Sequence, residues 1–268
     1  MSGFDWLVCP HCGQPLRLVE RVAGCQQGHR FDLARQGYLN LMTQAAGANA
    51  DTAEMVARRV EFLASGHYQP IVDAVAATVR TVAPRRLLDV GAGPGYYLAR
   101  VLDQLASGGV PAEGLGLDIS TAAAKRLAKC HPRVAAVVAD AWQPWPVADA
   151  SVQAVLSIFA PRNVAECGRV LTEDGVVVTV TPLPDHLAQA REQFGLMGIQ
   201  PDKEERLSES MAPLFVAADR QEVRLGLELS PEQVAAVVGM GPNALHGAQT
   251  NGSLHTTAAV AVIRWERA

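Results

Sequence analysis

The stretch Leu87-Leu88-Asp89-Val90-Gly91-Ala92-Gly93-Pro94-Gly95 constrains the fold of this chain more than any other. An apolar run ends in alternating glycines and leads directly into a segment with helical periodicity. Glycines at such a strand-to-helix turn let the backbone reverse sharply and let a ligand approach without a side-chain clash. A glycine-rich turn alone is a weak signal, but here an acid follows it at the expected place. Asp118 closes Gly114-Leu115-Gly116-Leu117-Asp118, and a carboxylate at the tip of the second strand can accept hydrogen bonds from both hydroxyls of a ribose. A dinucleotide fingerprint would need its third glycine at position 96, which is Tyr96; the glycine comes at Gly95 instead. This spacing favours S-adenosylmethionine, which has no pyrophosphate to seat on a helix end. Asp89, Gly91, Gly95 and Asp118 are therefore candidate cofactor contacts. Asp140, which ends the third strand in Ala139-Asp140-Ala141-Trp142, is placed either to meet the adenine edge or, as a common turn former, to cap the next segment.

From Arg85 onward the pattern alternates. Strands are predicted at 86–90, 115–119, 134–139, 152–159 and 176–181, with helical stretches near 96–106, 121–130 and 164–171. Such alternation implies a parallel sheet with right-handed crossovers. Ser230-Pro231-Glu232 predicts the cap of a short helix, flanked by candidate strands at about 221–229 and 256–265. The expected fold is therefore α/β, a Rossmann-like methyltransferase with a mostly parallel seven-stranded sheet. An apolar fraction of 49% supports a sizeable core. No apolar run reaches the ~18–20 residues of a membrane span, and residues 1–10 lack a basic stretch followed by an apolar one. A cytoplasmic, reducing location is the expectation.

Three regions are predicted. Residues 1–45 are a small loop-rich module, residues 46–84 a helical connector that contributes to the cofactor site, and residues 85–268 the methyltransferase domain. In the connector, Asp51-Thr52-Ala53-Glu54 reads as a capping box for a helix to about Ala64. Gly66 is a plausible stop, and Pro70 is well placed to open the next helix.

The first region carries Cys9-Pro10-His11-Cys12, then Cys25 and His29. Two close pairs of soft or borderline ligands suit tetrahedral zinc with no open position, and a module with little core needs such a staple. Disulfides or unligated thiols are the alternatives; a reducing location disfavours the first. His11 could compete for a place, but inside the knuckle its ring would point away from the metal. Cys130 and Cys167 lie among aliphatics in helical stretches and read as core or near-core residues.

The four metal ligands resemble one family when taken with further motifs. These are Phe31-Asp32-x-Ala34-x-x-Gly37-Tyr38-x-Asn40-Leu41, Gly66-His67-Tyr68, Tyr96-Tyr97 after the glycine turn, and Phe159-Ala160-Pro161. The family is that of the bacterial 23S rRNA (guanine-N1)-methyltransferases. The likeness runs to about residue 190 and is looser beyond, resting on Asp202-Lys203-x-x-Arg206-Leu207. It implies an amino-terminal zinc domain joined to a methyltransferase domain. It also implies methylation of guanine N1 in a 23S rRNA hairpin loop near the peptide exit tunnel. Two branches modify different nearby guanines; Phe159-Ala160-Pro161-Arg162-Asn163 looks more like the branch linked to resistance to macrolides such as tylosin. The resemblance further implies Tyr68, Gly93, Pro94 and His186 at the S-adenosylmethionine site.

N1 lies on the Watson–Crick edge, so the target base must be unpaired or flipped out. Methyl transfer requires donor and acceptor in line at about 3–3.5 Å, and the N1 proton must pass to a carboxylate or to water. Asp140, Glu166 and Asp185 are the carboxylates at strand ends. Asn163 could read the base edge and Arg162 a phosphate; a helix N-cap in a surface turn is the competing role. Tyr96, Tyr97, Trp142 and Trp145 could stack on a base. A net charge of −4 gives no general basic footprint, so an RNA clamp would rest on Arg17, Arg21, Arg30 and Arg35 of the zinc module. Two such modules gripping one folded RNA would make a homodimer. A small-molecule methyltransferase would share fold and cofactor without needing the zinc module. A zinc-ribbon RNA-binding protein without turnover would also fit.

Overall fold

The computed structural model describes residues 4–44, 50–200, 202–241 and 252–268. The first four residues of the predicted connector, 46–49, lie outside them. Three short strands, β1 (Arg17–Val19), β2 (Val22–Gly24) and β3 (Arg30–Asp32), form an antiparallel sheet in that order. Next come β4 (Tyr38–Asn40) and the helices α1 (Ala53–Ala64) and α2 (Gln69–Arg80). The alternating part runs β5 (Arg86–Val90), α3 (Tyr96–Ser107), β6 (Glu113–Asp118), α4 (Thr121–Leu127), β7 (Val134–Val138), β8 (Val152–Ile158), α5 (Val164–Val170) and β9 (Leu171–Pro182). The chain continues through α6 (Ala188–Phe194), α7 (Lys203–Met211), β10 (Phe215–Leu229), α8 (Pro231–Gly239) and β11 (Leu254–Arg267).

The main sheet has the order β10-β11-β9-β8-β5-β6-β7-β4. The pairs from β9 across to β4 are parallel, and β11 is antiparallel to both β9 and β10. The chain moves outward from β5 through β6 to β7, then returns to the other side of β5 as β8. Strand order therefore reverses between β5 and β8, where open parallel sheets hold their ligands, beyond the carboxyl ends of the strands.

The central strands are buried on both faces, so they read as continuous apolar runs rather than alternating ones. Leu87 joins one layer with Val75, Leu98, Leu102 and Val178, while Leu88 joins the other with Leu117, Val137 and Val177. That second layer also contains Phe4, Trp6, Leu7, Leu16, Leu33, Leu39 and Leu41. The cysteine-rich region thus covers one face of the main sheet, beside α5 and α7, and its core is continuous with that of the sheet.

Among the described residues the sheet has eight strands where seven are predicted. The additional one is β4, paired in parallel with β7 through Tyr38 opposite Ala136, Leu39 opposite Val137 and Asn40 opposite Val138. Leu41 N–H extends the pairing to the Val138 carbonyl at 3.0 Å. Three residues are too few to show a period of two, which is why the pattern did not betray the strand. The cap of α1 also differs by one residue from the predicted box. Thr52, not Asp51, is the N-cap, its hydroxyl accepting Met55 N–H at 3.2 Å, while the Asp51 carboxylate pairs with Arg59. The cap of α8 is the predicted one, with Ser230 and Gln233 forming a reciprocal box.

Leu39 is fully buried in the seam between β4 and the second layer. Leu39→Ala removes that packing and leaves a cavity, a change that costs roughly 2–5 kcal/mol. Because the seam belongs to a shared core, urea unfolding is expected to remain a single transition with a lowered midpoint. An early separate transition for the amino-terminal region would contradict the shared core.

Candidate functional site

The turn after β5 is built from three left-handed glycines, with φ of +69° at Gly91, +56° at Gly93 and +85° at Gly95. Space reinforces the conformational demand. A Cβ on Gly91 would lie 2.6 Å from the Ala160 methyl, and one on Gly95 2.5 Å from Cys130 Sγ. Gly93 is different: the nearest atom to its missing Cβ is Arg59 Nη1 at 3.7 Å, so this glycine leaves its side open for a ligand. Gly91 and Ala92 donate to the Leu117 carbonyl at 2.8 and 3.0 Å, which ties the turn to β6.

Asp118 completes the cradle. One carboxylate oxygen accepts Gly93 N–H at 2.8 Å and the other accepts Ser120 N–H at 2.8 Å. Each oxygen retains capacity for a further donor, which is what the two hydroxyls of a ribose require. Burial raises the pKa of Asp118, opposed by those two N–H groups. Asp89 is 2% exposed, and burial, with the charge of Asp118 added, raises its pKa well above the carboxylate range. The wall beside Gly93 comes from α1. Arg59 pairs with Asp51 and donates to the Met240 carbonyl at 2.7 Å, and Ser120 Oγ donates to the Asp51 carbonyl at 2.7 Å.

On the far side of β5 lies an aromatic group. The Tyr68 ring is buried, edge-on to Phe62 with centroids 5.0 Å apart, and its hydroxyl lies 3.5 Å from His186 Nε2. Phe159, at the end of β8, has centroid distances of 6.3 Å to Tyr68, 6.4 Å to Tyr97 and 5.8 Å to His186. Its backbone is left-handed, φ +54°, which for a bulky side chain costs of order 1–3 kcal/mol. Three contacts hold it there. Phe159 N–H donates to the Val180 carbonyl at 3.1 Å, Ser157 Oγ lies 3.3 Å from both the Ala160 and Pro161 carbonyl oxygens, and Ala160 abuts Gly91. Nothing in the sequence marks this residue as strained; Arg59, beside Gly93 in the turn, is a residue that pattern reasoning did not nominate.

The other nominated residues fall in distinct places. Asp140 Oδ1 accepts Trp142 N–H at 2.9 Å, the turn-forming arrangement. Asn163 is the N-cap of α5, accepting Glu166 N–H at 3.3 Å. Glu166 is held by Arg169 at 2.6 Å and accepts Trp145 N–H at 2.6 Å. Asp185 pairs with Arg224. Trp145 is 2% exposed, with its indole N–H donating to the Ala141 carbonyl at 2.9 Å, so it is a core residue and not a surface for stacking. Tyr96 and Tyr97 pack against the first core layer. Trp142 is exposed. Cys167 is buried and Cys130 partly so, and burial pushes both thiols up to about 12. Arg162 has no acidic partner among the described residues; burial lowers its pKa, and burial with the charge of Arg162 lowers that of Lys203.

The metal ligands converge. The ligand atoms of Cys9, Cys12, Cys25 and His29 lie within 4.8 Å of one another. Cys12 Sγ and Cys25 Sγ are 3.6 Å apart, and His29 Nδ1 lies 3.5 Å from Cys9 Sγ and 3.4 Å from Cys25 Sγ. Tetrahedral zinc with bonds of about 2.3 Å spaces its thiolates roughly 3.8 Å apart, so donor set and size fit zinc. His11 stacks on Phe31, with centroids 5.9 Å apart, outside the ligand set. On the small sheet, Arg17 and Arg30 both stand opposite Gly24 and therefore share a face, while Leu18, Ala23 and Phe31 turn toward the core. Both arginines and Arg35 are exposed. Arg21 is instead occupied by the carbonyls of Leu33 and Ala34 at 2.8 and 2.7 Å.

Comparison with known proteins places the two sites in one context. Residues 7–44 match a zinc-ribbon family model described as "RlmA, N-terminal", and residues 87–175 match a model described as "Methyltransferase domain". The chain is 42% identical over 245 residues to the 23S rRNA (guanine(748)-N(1))-methyltransferase of Streptomyces fradiae, covering 90% of this chain and 86% of that protein. It is also 42% identical over 260 residues to a Micromonospora griseorubida protein provisionally described as a 23S rRNA (guanine-N(1)-)-methyltransferase, covering 90% and 87%. Among solved structures, the cyclase SpnF is similar in fold, with a TM-score of 0.52 and 19% identity over 74% of this chain and 80% of that one. A methyltransferase domain implies S-adenosylmethionine, and the ribbon with its three cysteines and one histidine implies zinc.

Two outcomes are expected of these sites. Purified protein should carry one zinc per chain by atomic absorption, and a chelator should lower the thermal midpoint of the whole molecule, with Cys25→Ser reproducing the loss; unchanged melting after complete metal removal would contradict a structural role. The second concerns His186, whose pKa burial pulls down from 6.5 to about 4. As pH falls, the unfolded chain takes up this proton near 6.5 and the folded one only near 4. His186 therefore contributes a loss of stability that grows through that window and is absent above it. Urea unfolding at pH 7 and pH 5 should show a smaller difference in His186→Asn than in the unaltered protein.

Proposed function

Because this chain belongs to the family of 23S rRNA (guanine-N1)-methyltransferases, we propose that it transfers a methyl group from S-adenosylmethionine to N1 of a guanine in 23S rRNA. The target we assign is the hairpin-loop guanine near the peptide exit tunnel that corresponds to position 748, named for the Streptomyces fradiae relative. Resistance to macrolides, which the resemblance links to this branch of the family, is part of the same proposal. The enzyme acts on ribosomal RNA and so works in the cytoplasm.

The single observation that carries this reading is the joining of a zinc-ribbon surface to a methyltransferase sheet through β4. An enzyme acting on a small metabolite has no need of an added zinc ribbon with an arginine-bearing face. Arg17 and Arg30, flanking a glycine on one face, with Arg35 nearby, offer exposed cations for phosphates while the net charge stays at −4. We assign Arg21 to the fold of the module, since its guanidinium is taken by backbone carbonyls. Two chains would present two such faces to one folded RNA, and a homodimer is the assembly we propose.

When bound, S-adenosylmethionine supplies an electrophilic methyl group on sulfur. The chain's own part is placement. Asp118 and Gly93 would hold the nucleoside end, with Gly91, Pro94 and Gly95 shaping the turn and Asp140 taking the adenine edge, and Tyr68 and His186 would bound the methionine end. Arg162 and Lys203, cations without an acid between them, suit a backbone phosphate of the RNA. The N1 proton passes to a carboxylate or to water. Glu166 and Asp185 are held in ion pairs, and Asp140 follows β7, which β6 and β5 separate from β8, so water is the acceptor this arrangement favours.

The test is incubation with labelled S-adenosylmethionine and unmodified 23S rRNA, then primer extension. N1-methylguanine blocks pairing, so one new stop is expected at the tunnel-proximal hairpin. Asp118→Ala should lose cofactor binding by calorimetry, whereas the double variant Arg17→Glu, Arg30→Glu should keep it and lose the stop. Intact cofactor binding with neither label nor stop would sink the assignment.

A further inference from the structure

A base that presents N1 to the cofactor has left its stack, and the enzyme must supply a π-face in its place. The position of that face follows from the sheet. Asp118 sits at the tip of β6, on one side of β5, and the aromatic group sits at the tip of β8, on the other. Neighbouring strands are about 4.8 Å apart, so a cofactor anchored through its ribose at Asp118 reaches across β5 and delivers its far end beside β8. The acceptor base must arrive there.

Phe159 occupies that point. Its following residue, Ala160, packs against Gly91 of the cofactor turn, so the ring borders the cofactor cleft directly. The residue is 41% exposed, although three aromatic neighbours crowd one side. A phenylalanine serving the core would be buried and would take the extended backbone of the strand it ends. This one is half open and held in a left-handed conformation by Ser157, Val180 and Gly91. Of the aromatics at the carboxyl edge, Trp145 is buried, and Trp142 follows β7, which is separated from β5 by β6.

Resting on the RNA-methyltransferase reading above, we infer that Phe159 is a substrate-positioning aromatic whose exposed face stacks on the flipped target guanine at the end of β8. The strained turn sets the ring across the open side of the cleft, so the guanine lies between Phe159 and the approach to the methyl donor with its Watson–Crick edge turned toward β5.

The experiment compares the unaltered full-length protein with Phe159→Ala and Phe159→Trp on a 23S rRNA hairpin fragment. Phe159→Ala should bind S-adenosylmethionine within about twofold of the unaltered protein by calorimetry. Its kcat/KM for RNA methylation should fall about 10- to 100-fold, the scale of one lost base–aromatic stack, and Phe159→Trp should recover most of it. With 2-aminopurine at the target position, fluorescence should be quenched by the unaltered protein and bright with Phe159→Ala. Equal methylation by Phe159→Ala would overturn the stacking role alone. So would a loss of cofactor affinity matching the loss of rate, which would make the ring a wall of the cofactor site. No transfer by the unaltered protein would overturn the RNA substrate and the stacking role together.

Discussion

The Asp118 carboxylate is the tie on which the cofactor cleft depends. Its two oxygens hold two backbone N–H groups from different elements, Gly93 in the glycine turn and Ser120 at the cap of α4. Ser120 in turn reaches the Asp51 carbonyl with its hydroxyl, and Asp51 fixes Arg59 over the turn. One half-buried carboxylate thus ties together β5, β6, α4 and α1. Burial and the neighbouring Asp118 raise the pKa of Asp89, while Asp118 has a backbone donor on each oxygen and lone pairs to spare for a ligand.

The second organising feature is the division of the sheet's two faces. One face is covered by α2, α3 and α8, and the other by α5, α7 and the cysteine-rich region. Metal site and cofactor site therefore belong to one packed body, although each reads in the sequence as a separate module.

Much of this was legible in the sequence because its signals are local. Leu87 to Gly95 and Asp118 carry the cofactor turn in their spacing. Cys9, Cys12, Cys25 and His29 carry the metal site in theirs. The parts that were not legible depend on contacts distant in sequence. β4 is three residues long and exists because β7 offers it an edge. Asp51 and Thr52 are both good N-caps, and the choice between them is made by Arg59, eight residues on. β10 begins at Phe215, earlier than predicted, because Val216 to Glu222 is exposed and shows no apolar alternation. The left-handed turn at Phe159 has no glycine or asparagine to announce it; Gly91, Ser157 and Val180 impose it from elsewhere in the chain.

The placement of β4 has a consequence for the behaviour of the protein in a crowded solution. A sheet with an unpaired flank is a template on which other chains can add strands. At one flank, β10 carries a ladder of ion pairs through Arg220, Glu222 and Arg224, and such charges discourage addition. At the other, β7 is apolar from Val134 to Val138, and its guard is the short strand that follows the cysteine-rich ribbon. That three-residue strand therefore protects the sheet as well as extending it: β7 without β4 would be an apolar edge open to another chain.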